Sequence, residues 1–432
     1  MNAEQKYLTN SPKQYQGGEN LDLKDILLKN RHLCFKERID TFKSFKVSVD
    51  LIKGNQYRRI ITSPSGTEVE VLDKYTGKLK KMLMFGSNNY LGLATHPLVV
   101  KHVNNTLRKY GVGVGGPPLL NGYTKLHQEL EEKLAQFKGK ESVMLFSSGY
   151  STNIGLISGL CTNKDDVVIY DEYSHASLYD GIRLSHISSY TFKHNSPSDL
   201  EQILLKTSNK DTRFVAFEGI YSMDGDMCPL YEIISLSKQH NAITILDDAH
   251  GTFVIGPGGS GTAKEVGLEK ETDIIMGTFS KSIAVTGGFI AADKDIIEFL
   301  RFFSRSYMFS ASLSIPVVAT VLACLDIVDK NVELLEKLHD NVSYAVQKLN
   351  RYDIVTQPKG AIIALRVPLN MNIRKASHTF HEKGIFINSI EYPAVPKYEQ
   401  RFRISIMATH TKKQIDELVN VIEQIWMQNK DE

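Results

Sequence analysis

The sequence has little that marks a secreted, metal-bound or membrane protein. Its four cysteines, at 34, 161, 228 and 324, are scattered over 432 residues and sit mostly in apolar contexts. None stands in CxxC spacing and no histidine cluster accompanies them, so no zinc or other metal site is expected. Reduced cytoplasmic thiols are the expectation. Charge of one sign is also missing. Lys+Arg 51 against Asp+Glu 49 leaves +2, and no overall field favours nucleic acid or an acidic partner. The longest apolar segment, Ile315 to Leu325, is too short to span a bilayer. The opening Met-Asn-Ala-Glu-Gln-Lys has no apolar stretch of the signal-peptide kind. Internal repeats and low-complexity linkers are absent too. A soluble, cytoplasmic protein is expected.

What is present is core. A hydrophobic content of 42% over this length buries a large interior and predicts two domains behind an N-terminal segment. Residues 1–95 read as a polar, Lys-rich arm with helical patches around Leu21–Leu28, then a β-hairpin within 55–82. Its alternating Glu68-Val-Glu-Val71 turns at Lys74–Gly77 into Leu79–Met84. Residues 96–310 alternate short apolar runs with helical segments, the βα pattern of a mostly parallel sheet flanked by helices. Leu126, Leu130, Leu134 and Phe137 share one helical face there. Residues 311–432 read as a smaller α+β domain ending in a helix over 412–427.

Five apolar runs in the middle stretch end in polar chemistry. Val143–Phe146 leads into Ser147-Ser148-Gly149-Tyr150, a helix start whose free N–H groups suit a phosphate. Val167–Tyr170 ends near His175, and Phe214–Phe217 near Ser222-Met-Asp-Gly-Asp226. Ala242–Leu246 runs into Asp247-Asp248-Ala249-His250, and Asp273–Met276 into Gly277-Thr278-Phe279-Ser280-Lys281. A lysine at a buried strand end, flanked by hydroxyls and glycines, is a poor surface charge and a good amine for bonding an aldehyde. Pyridoxal phosphate (PLP) needs that lysine, a carboxylate to keep its ring nitrogen protonated, and a phosphate cradle. Each ending alone is explained by a turn, a cap or a core histidine. The series in order is not.

Those motifs, with Phe85-Gly-Ser-Asn-Asn-Tyr-Leu-Gly-Leu93, Ser174-His-Ala-Ser177 and Arg403-Ile-Ser-Ile-Met-Ala-Thr-His410, resemble the α-oxoamine synthases from about Met84 to the C-terminus. These are PLP-dependent enzymes of the fold type I, aspartate-aminotransferase class. They include serine palmitoyltransferase, 8-amino-7-oxononanoate synthase and 2-amino-3-ketobutyrate CoA ligase. Met276-Gly-Thr-Phe-Ser-Lys-Ser282 and Ser405-Ile-Met-Ala-Thr-His-Thr411 are most similar to the bacterial serine palmitoyltransferases.

The resemblance implies a role for each residue. Lys281 bonds the cofactor and moves the Cα proton, Asp247 pairs with the ring nitrogen, and His175 stacks on the ring. His250 and Ser222 lie near its phenolic oxygen. Ser148, Gly149, Tyr150, Thr278 and Ser280 contact the phosphate. Arg403 clamps a substrate carboxylate, with Asn88 beside it. Asp248 reads as a helix cap, and Arg401 as a solvated edge-strand arginine. The implied reaction is a decarboxylative condensation of an amino acid, serine favoured, with a long-chain acyl-CoA or an acyl carrier protein thioester. The implied assembly is a homodimer with sites at the interface, Ser310 or Ser312 reaching across.

Two departures bear on specificity. Pro117-Pro118 stands in a glycine-rich loop where relatives often carry Arg or His. Glu391-Tyr392-Pro393 lacks the arginine found before Pro-Pro in oxononanoate synthases. The other readings weighed are oxononanoate synthase or ketobutyrate ligase activity, a PLP aminotransferase or lyase, and a non-catalytic partner subunit. Lys281 disfavours the last.

Overall fold

In this computed structural model the described residues are Leu23, Ile26 and 30–431. Most of the predicted arm and of the Leu21–Leu28 patch lies outside them. The first long helix among them, Phe35–Leu51, precedes the hairpin.

The hairpin forms as its alternation demands. Strands β1 (Ile60–Ile61), β2 (Glu68–Leu72) and β3 (Leu79–Met84) pair antiparallel in that order, and Val69 and Val71 face inward. A fourth strand arrives from the far end of the chain, because β12 (Ile385–Phe386) pairs parallel with β3.

The central sheet uses β4 (Ser142–Phe146), β5 (Val167–Asp171), β6 (Ser188–Phe192), β7 (Arg213–Glu218), β8 (Ile243–Asp247), β9 (Ile274–Thr278) and β10 (Gly288–Ala292). Their spatial order is β4-β10-β9-β8-β7-β5-β6. Only β10 runs against the rest. β5, β9 and β10 are buried along their whole lengths. Helices cover both faces, which is why these strands read as unbroken apolar runs rather than alternations. The helix Lys125–Lys138 buries Leu126, Leu130 and Leu134 as the periodicity requires.

The C-terminal part builds a third sheet of three strands, β11 (Ile362–Arg366), β14 (Arg401–Ser405) and β13 (Asn388–Ile390), with β14 in the middle. It closes with the helix Lys412–Asp431. The apolar Ile315–Leu325 run lies in the helix Ile315–Lys330, and Cys324 is buried there. Among the described residues no helix is long and apolar enough to cross a membrane.

The parallel strands all end on one edge. Ser148, His175, Ser222, Asp247 and Lys281 follow the last residues of β4, β5, β7, β8 and β9 or close those strands, so the topology gathers them where open α/β sheets bind ligands.

Candidate active site

A cavity of about 360 Å³ opens at that edge, and Lys281, His175, His250, Ser222, Asn88 and Arg403 line it. The first four come from the central sheet's loops. Arg403 comes from β14, and Asn88 from the segment after β3. Enclosure by protein pulls the Lys281 amine down to about 8, although Asp247 and Glu218 draw it partly back. A large share of this amine is therefore neutral, hence nucleophilic, near pH 8.

Asp247 closes β8 and is buried. Its carboxylate accepts from Asn153 Nδ2 at 2.7 Å and from the Ala249 N–H at 3.1 Å. No described cation forms an ion pair with it, so a buried carboxylate faces the site with neutral partners only. Beside it Glu218, paired in register on β7, is pushed up by burial and then by the charge of Asp247.

His175 precedes the helix Ala176–Ser185 and accepts from the Ser177 N–H at 3.2 Å. Its ring is open to solvent on the cavity side, yet the protein around it still lowers its pKa, chiefly by desolvation. His250 is buried, and burial followed by the charges of Lys281, Arg403 and His175 holds it neutral. Its Nδ1 lies 3.0 Å from the Tyr90 hydroxyl.

Arg403 is buried, and its guanidinium donates to Ser222 O (2.6 Å), Asn88 Oδ1 (3.0 Å), Ser405 Oγ (3.2 Å) and the Tyr90 hydroxyl (3.2 Å). Every one of these acceptors is neutral.

At the other end Ser148 caps the helix Gly149–Leu160, its Oγ accepting from the Ser151 N–H at 3.0 Å. A Cβ on Gly149 would lie 2.8 Å from Thr278 Oγ1, so only glycine lets this backbone meet that hydroxyl. Thr278 Oγ1 in turn is 2.9 Å from the exposed Ser280 Oγ. Helix N-terminus, glycine and two hydroxyls form a cradle for a phosphate. Tyr150 contributes its backbone position, while its hydroxyl bonds Asp180. The buried carboxylate, the lowered amine and this cradle fit PLP.

Two expectations change. Arg401 is not a solvated edge arginine: β14 is the central strand, and Arg401 is 1% exposed, ion-paired with Asp224 and with Glu399 at 2.9 Å. Asp248 does not cap the turn that follows it. It holds the buried Lys138 at 2.8 Å and the Thr262 hydroxyl at 2.8 Å. Within one chain Ser310 Oγ lies 3.4 Å from Ser147 Oγ, and Ser312 Oγ packs toward Gly122.

The class I and II aminotransferase family model matches residues 80–422. Serine palmitoyltransferase from Sphingobacterium spiritivorum is 39% identical over 374 residues, covering 86% of this chain and 92% of that protein. The chain belongs to the α-oxoamine synthases of this aminotransferase family. An 8-amino-7-oxononanoate synthase from Thermoanaerobacter pseudethanolicus is 36% identical over 383 residues, covering 88% and 95%. A solved serine palmitoyltransferase with PLP superposes with TM-score 0.85 at 30% identity, covering 94% of this chain and 100% of that one. As an α-oxoamine synthase the chain is a PLP-dependent acyltransferase of fold type I.

Sequence reasoning missed Asn153, Glu218 and Tyr90. The only signal for Tyr90 was its place in the Phe85–Leu93 motif. Asn153 and Glu218 had none beyond their nearness to strand ends.

Proposed function

We propose that the chain condenses L-serine with a long-chain acyl-CoA to give an α-aminoketone, releasing CoA and carbon dioxide. The observation that carries this reading is Arg403, a buried guanidinium at the cavity whose partners are all neutral. A substrate carboxylate is the anion it lacks, and a two-pronged guanidinium pair would orient the amino acid's α-carbon toward Lys281. The serine palmitoyltransferase relative supports serine and a palmitoyl-like donor. The Glu391-Tyr392-Pro393 sequence argues against a carboxylated, pimeloyl-type chain.

When bound, PLP supplies an aldehyde for the amines and a ring that draws electrons from the amino acid's α-carbon. Asp247, held by Asn153 and the Ala249 N–H, keeps the ring nitrogen protonated. Lys281 holds the cofactor and then takes and returns the Cα proton, a task suited to an amine near 8. Ser148, Gly149, Tyr150, Thr278 and Ser280 would anchor the phosphate, His175 would lie against the ring, and Ser222 and His250 would stand near its phenolic oxygen. Asn88 steadies Arg403. Over the whole reaction a carbon–carbon bond forms between the α-carbon and the acyl carbonyl carbon. The thioester bond and the bond to the carboxylate break, the first releasing thiol and the second carbon dioxide. The working form is a homodimer in the cytoplasm, with the N-terminal segment, residues 96–310 and residues 311–432 as its three units.

The test is thiol release by PLP-loaded protein offered palmitoyl-, pimeloyl- or acetyl-CoA with serine, glycine, alanine or threonine. Release dependent on serine and palmitoyl-CoA, with carbon dioxide evolved, is the expected result. Release with another pair reassigns the substrates. Amino-group transfer to a keto acid without thiol release overturns the reading.

A further inference from the structure

Behind the turn that carries His250 lies a buried lysine with no part in the reaction so far. Lys138 is the last residue of the helix Lys125–Lys138 and is 1% exposed. Its Nζ donates to Asp248 Oδ2 at 2.8 Å, to the Thr252 hydroxyl at 2.7 Å and to Ser260 O at 2.7 Å. An ammonium has three protons, and each one here meets an acceptor. Burial works against the charge, and Asp248 sustains it.

Two of those acceptors are the ends of the turn. Asp248 opens it and Thr252 closes it, with the Thr252 N–H donating to Asp248 O at 2.9 Å and the Thr252 hydroxyl to the same oxygen at 2.7 Å. His250 stands midway between them and lines the cavity. Asp247 and Asp248 are consecutive at a strand end, so their carboxylates leave in opposite directions, one toward the site and one toward Lys138. The second Asp248 oxygen accepts from the Thr262 N–H at 3.2 Å and the Thr262 hydroxyl at 2.8 Å. A Cβ on Gly251 or Gly261 would collide with this carboxylate, so the loop closes directly over it. On the cavity side Ser282 Oγ, next after Lys281, lies 3.5 Å from Thr252 O.

The turn does not hold its shape unaided. Phe253, which follows it, has a φ of 61°, a left-handed conformation that a bulky residue keeps only where its surroundings impose it. The Phe137 ring stacks on the Phe253 ring at 4.8 Å, one residue before Lys138. Two successive residues at one helix end therefore grip the segment from behind, one by its ring and one by its charge.

We propose that Lys138 is a positioning residue: its ammonium, which does not line the cavity, pins Asp248 and Thr252 and so sets where His250 stands beside the substrate. A misplacement of about 1 Å costs roughly 100-fold in rate. This rests on the reading of the cavity as the reaction site.

The test compares PLP-loaded wild type, K138Q/D248N, H250Q and the triple variant. The paired change removes both buried charges together, so no lone carboxylate is left to unfold the protein. In NMR of protein with ¹³C-labelled histidine rings, His250 is assigned by its loss in H250Q. Its signal is expected to shift or split in K138Q/D248N, while those of His194 and His410, which belong to other hydrogen-bond networks, stay in place. Thiol release should fall about 100-fold in K138Q/D248N, yet the same pair should cost less than about threefold where His250 is already Gln. An unmoved His250 signal overturns the proposal, and so does an equal loss of rate in both backgrounds. If K138Q/D248N fails to fold, Thr252→Val, which removes one acceptor and leaves the ion pair, is read in its place. If no substrate pair releases thiol, the proposed reaction fails and the NMR comparison alone decides the positioning.

Discussion

Asn153 donates to Asp247 across 2.7 Å, tying the helix that begins at the phosphate cradle to the strand end that meets the ring nitrogen. The two ends of a bound cofactor are thus set by one amide, and its loss would be felt at the nitrogen first. In Asn153→Leu the carboxylate keeps only the Ala249 N–H. A hydrogen bond to a charged group is worth about 1.5–3 kcal/mol, so PLP should bind roughly 10–100-fold more weakly. Absorbance titration of stripped protein with PLP measures this, and an unchanged affinity would refute the pairing.

Lys281 makes a pH prediction whose sign can be worked out. Its folded pKa lies below the unfolded one, near 8. The unfolded chain therefore binds a proton that the fold resists, and the penalty grows as pH falls from 10.5 toward 8 and is constant below. Cofactor-free Lys281→Met should be more stable than wild type at pH 7 by about 1–3 kcal/mol, after allowance for screening. The gap should narrow as pH rises toward 10. Denaturant melts at pH 7, 8.5 and 10 test both statements.

His194 has the opposite sign. Burial lowers it, but hydrogen bonds to Asp171 (3.0 Å) and Asp226 (2.9 Å) outweigh burial and raise it to about 9. Both ring nitrogens donate, so the ring is an imidazolium rather than a metal ligand, and it stacks on Tyr173 at 4.3 Å. The stability it brings is complete below about pH 6.5 and is lost as pH rises through about 9. His194→Asn should cost about 1–2 kcal/mol at pH 6.5, discounted for its partial exposure, and little at pH 9.5. Equal losses at the two pH values would contradict the doubly bound cation.

Arg401 and Arg403 lie on one face of β14, yet they should fail differently. Arg403→Lys keeps the charge and loses the planar fork. It should raise KM for the amino acid about tenfold or more, with KM for the thioester little changed. Arg401→Met strands the buried Asp224 and should cost about 3–5 kcal/mol of stability. Steady-state kinetics for the first and urea midpoints for the second separate the two. A KM effect confined to Arg401 would reverse the assignment.

The strand-end pattern was legible because parallel strands covered on both faces leave apolar runs, and a run that stops at Asp247 or near Lys281 marks the edge where backbone turns and polar groups gather. Arg401 was misread for a related reason. Strand position within a sheet depends on which segments pair, and β14 lies between β11 and β13 although it comes last of the three in the chain. Tyr90, Asn153 and Glu218 act through contacts that no local spacing encodes. Tyr90 meets a histidine 160 residues away and an arginine 313 away. Composition carried no trace of such meetings.

The pairing of β3 with β12 has a consequence for how the molecule is made. Leu83 and Met84 leave the ribosome roughly 300 residues before Ile385 and Phe386, which at about 5–20 residues per second is tens of seconds. Through that interval the hairpin has an open edge and the cavity lacks the wall that Arg403 brings. A nascent chain stalled before β14 would hold the lysine and the phosphate cradle without the carboxylate clamp. The newborn protein would be ready for its cofactor before it could grip an amino acid.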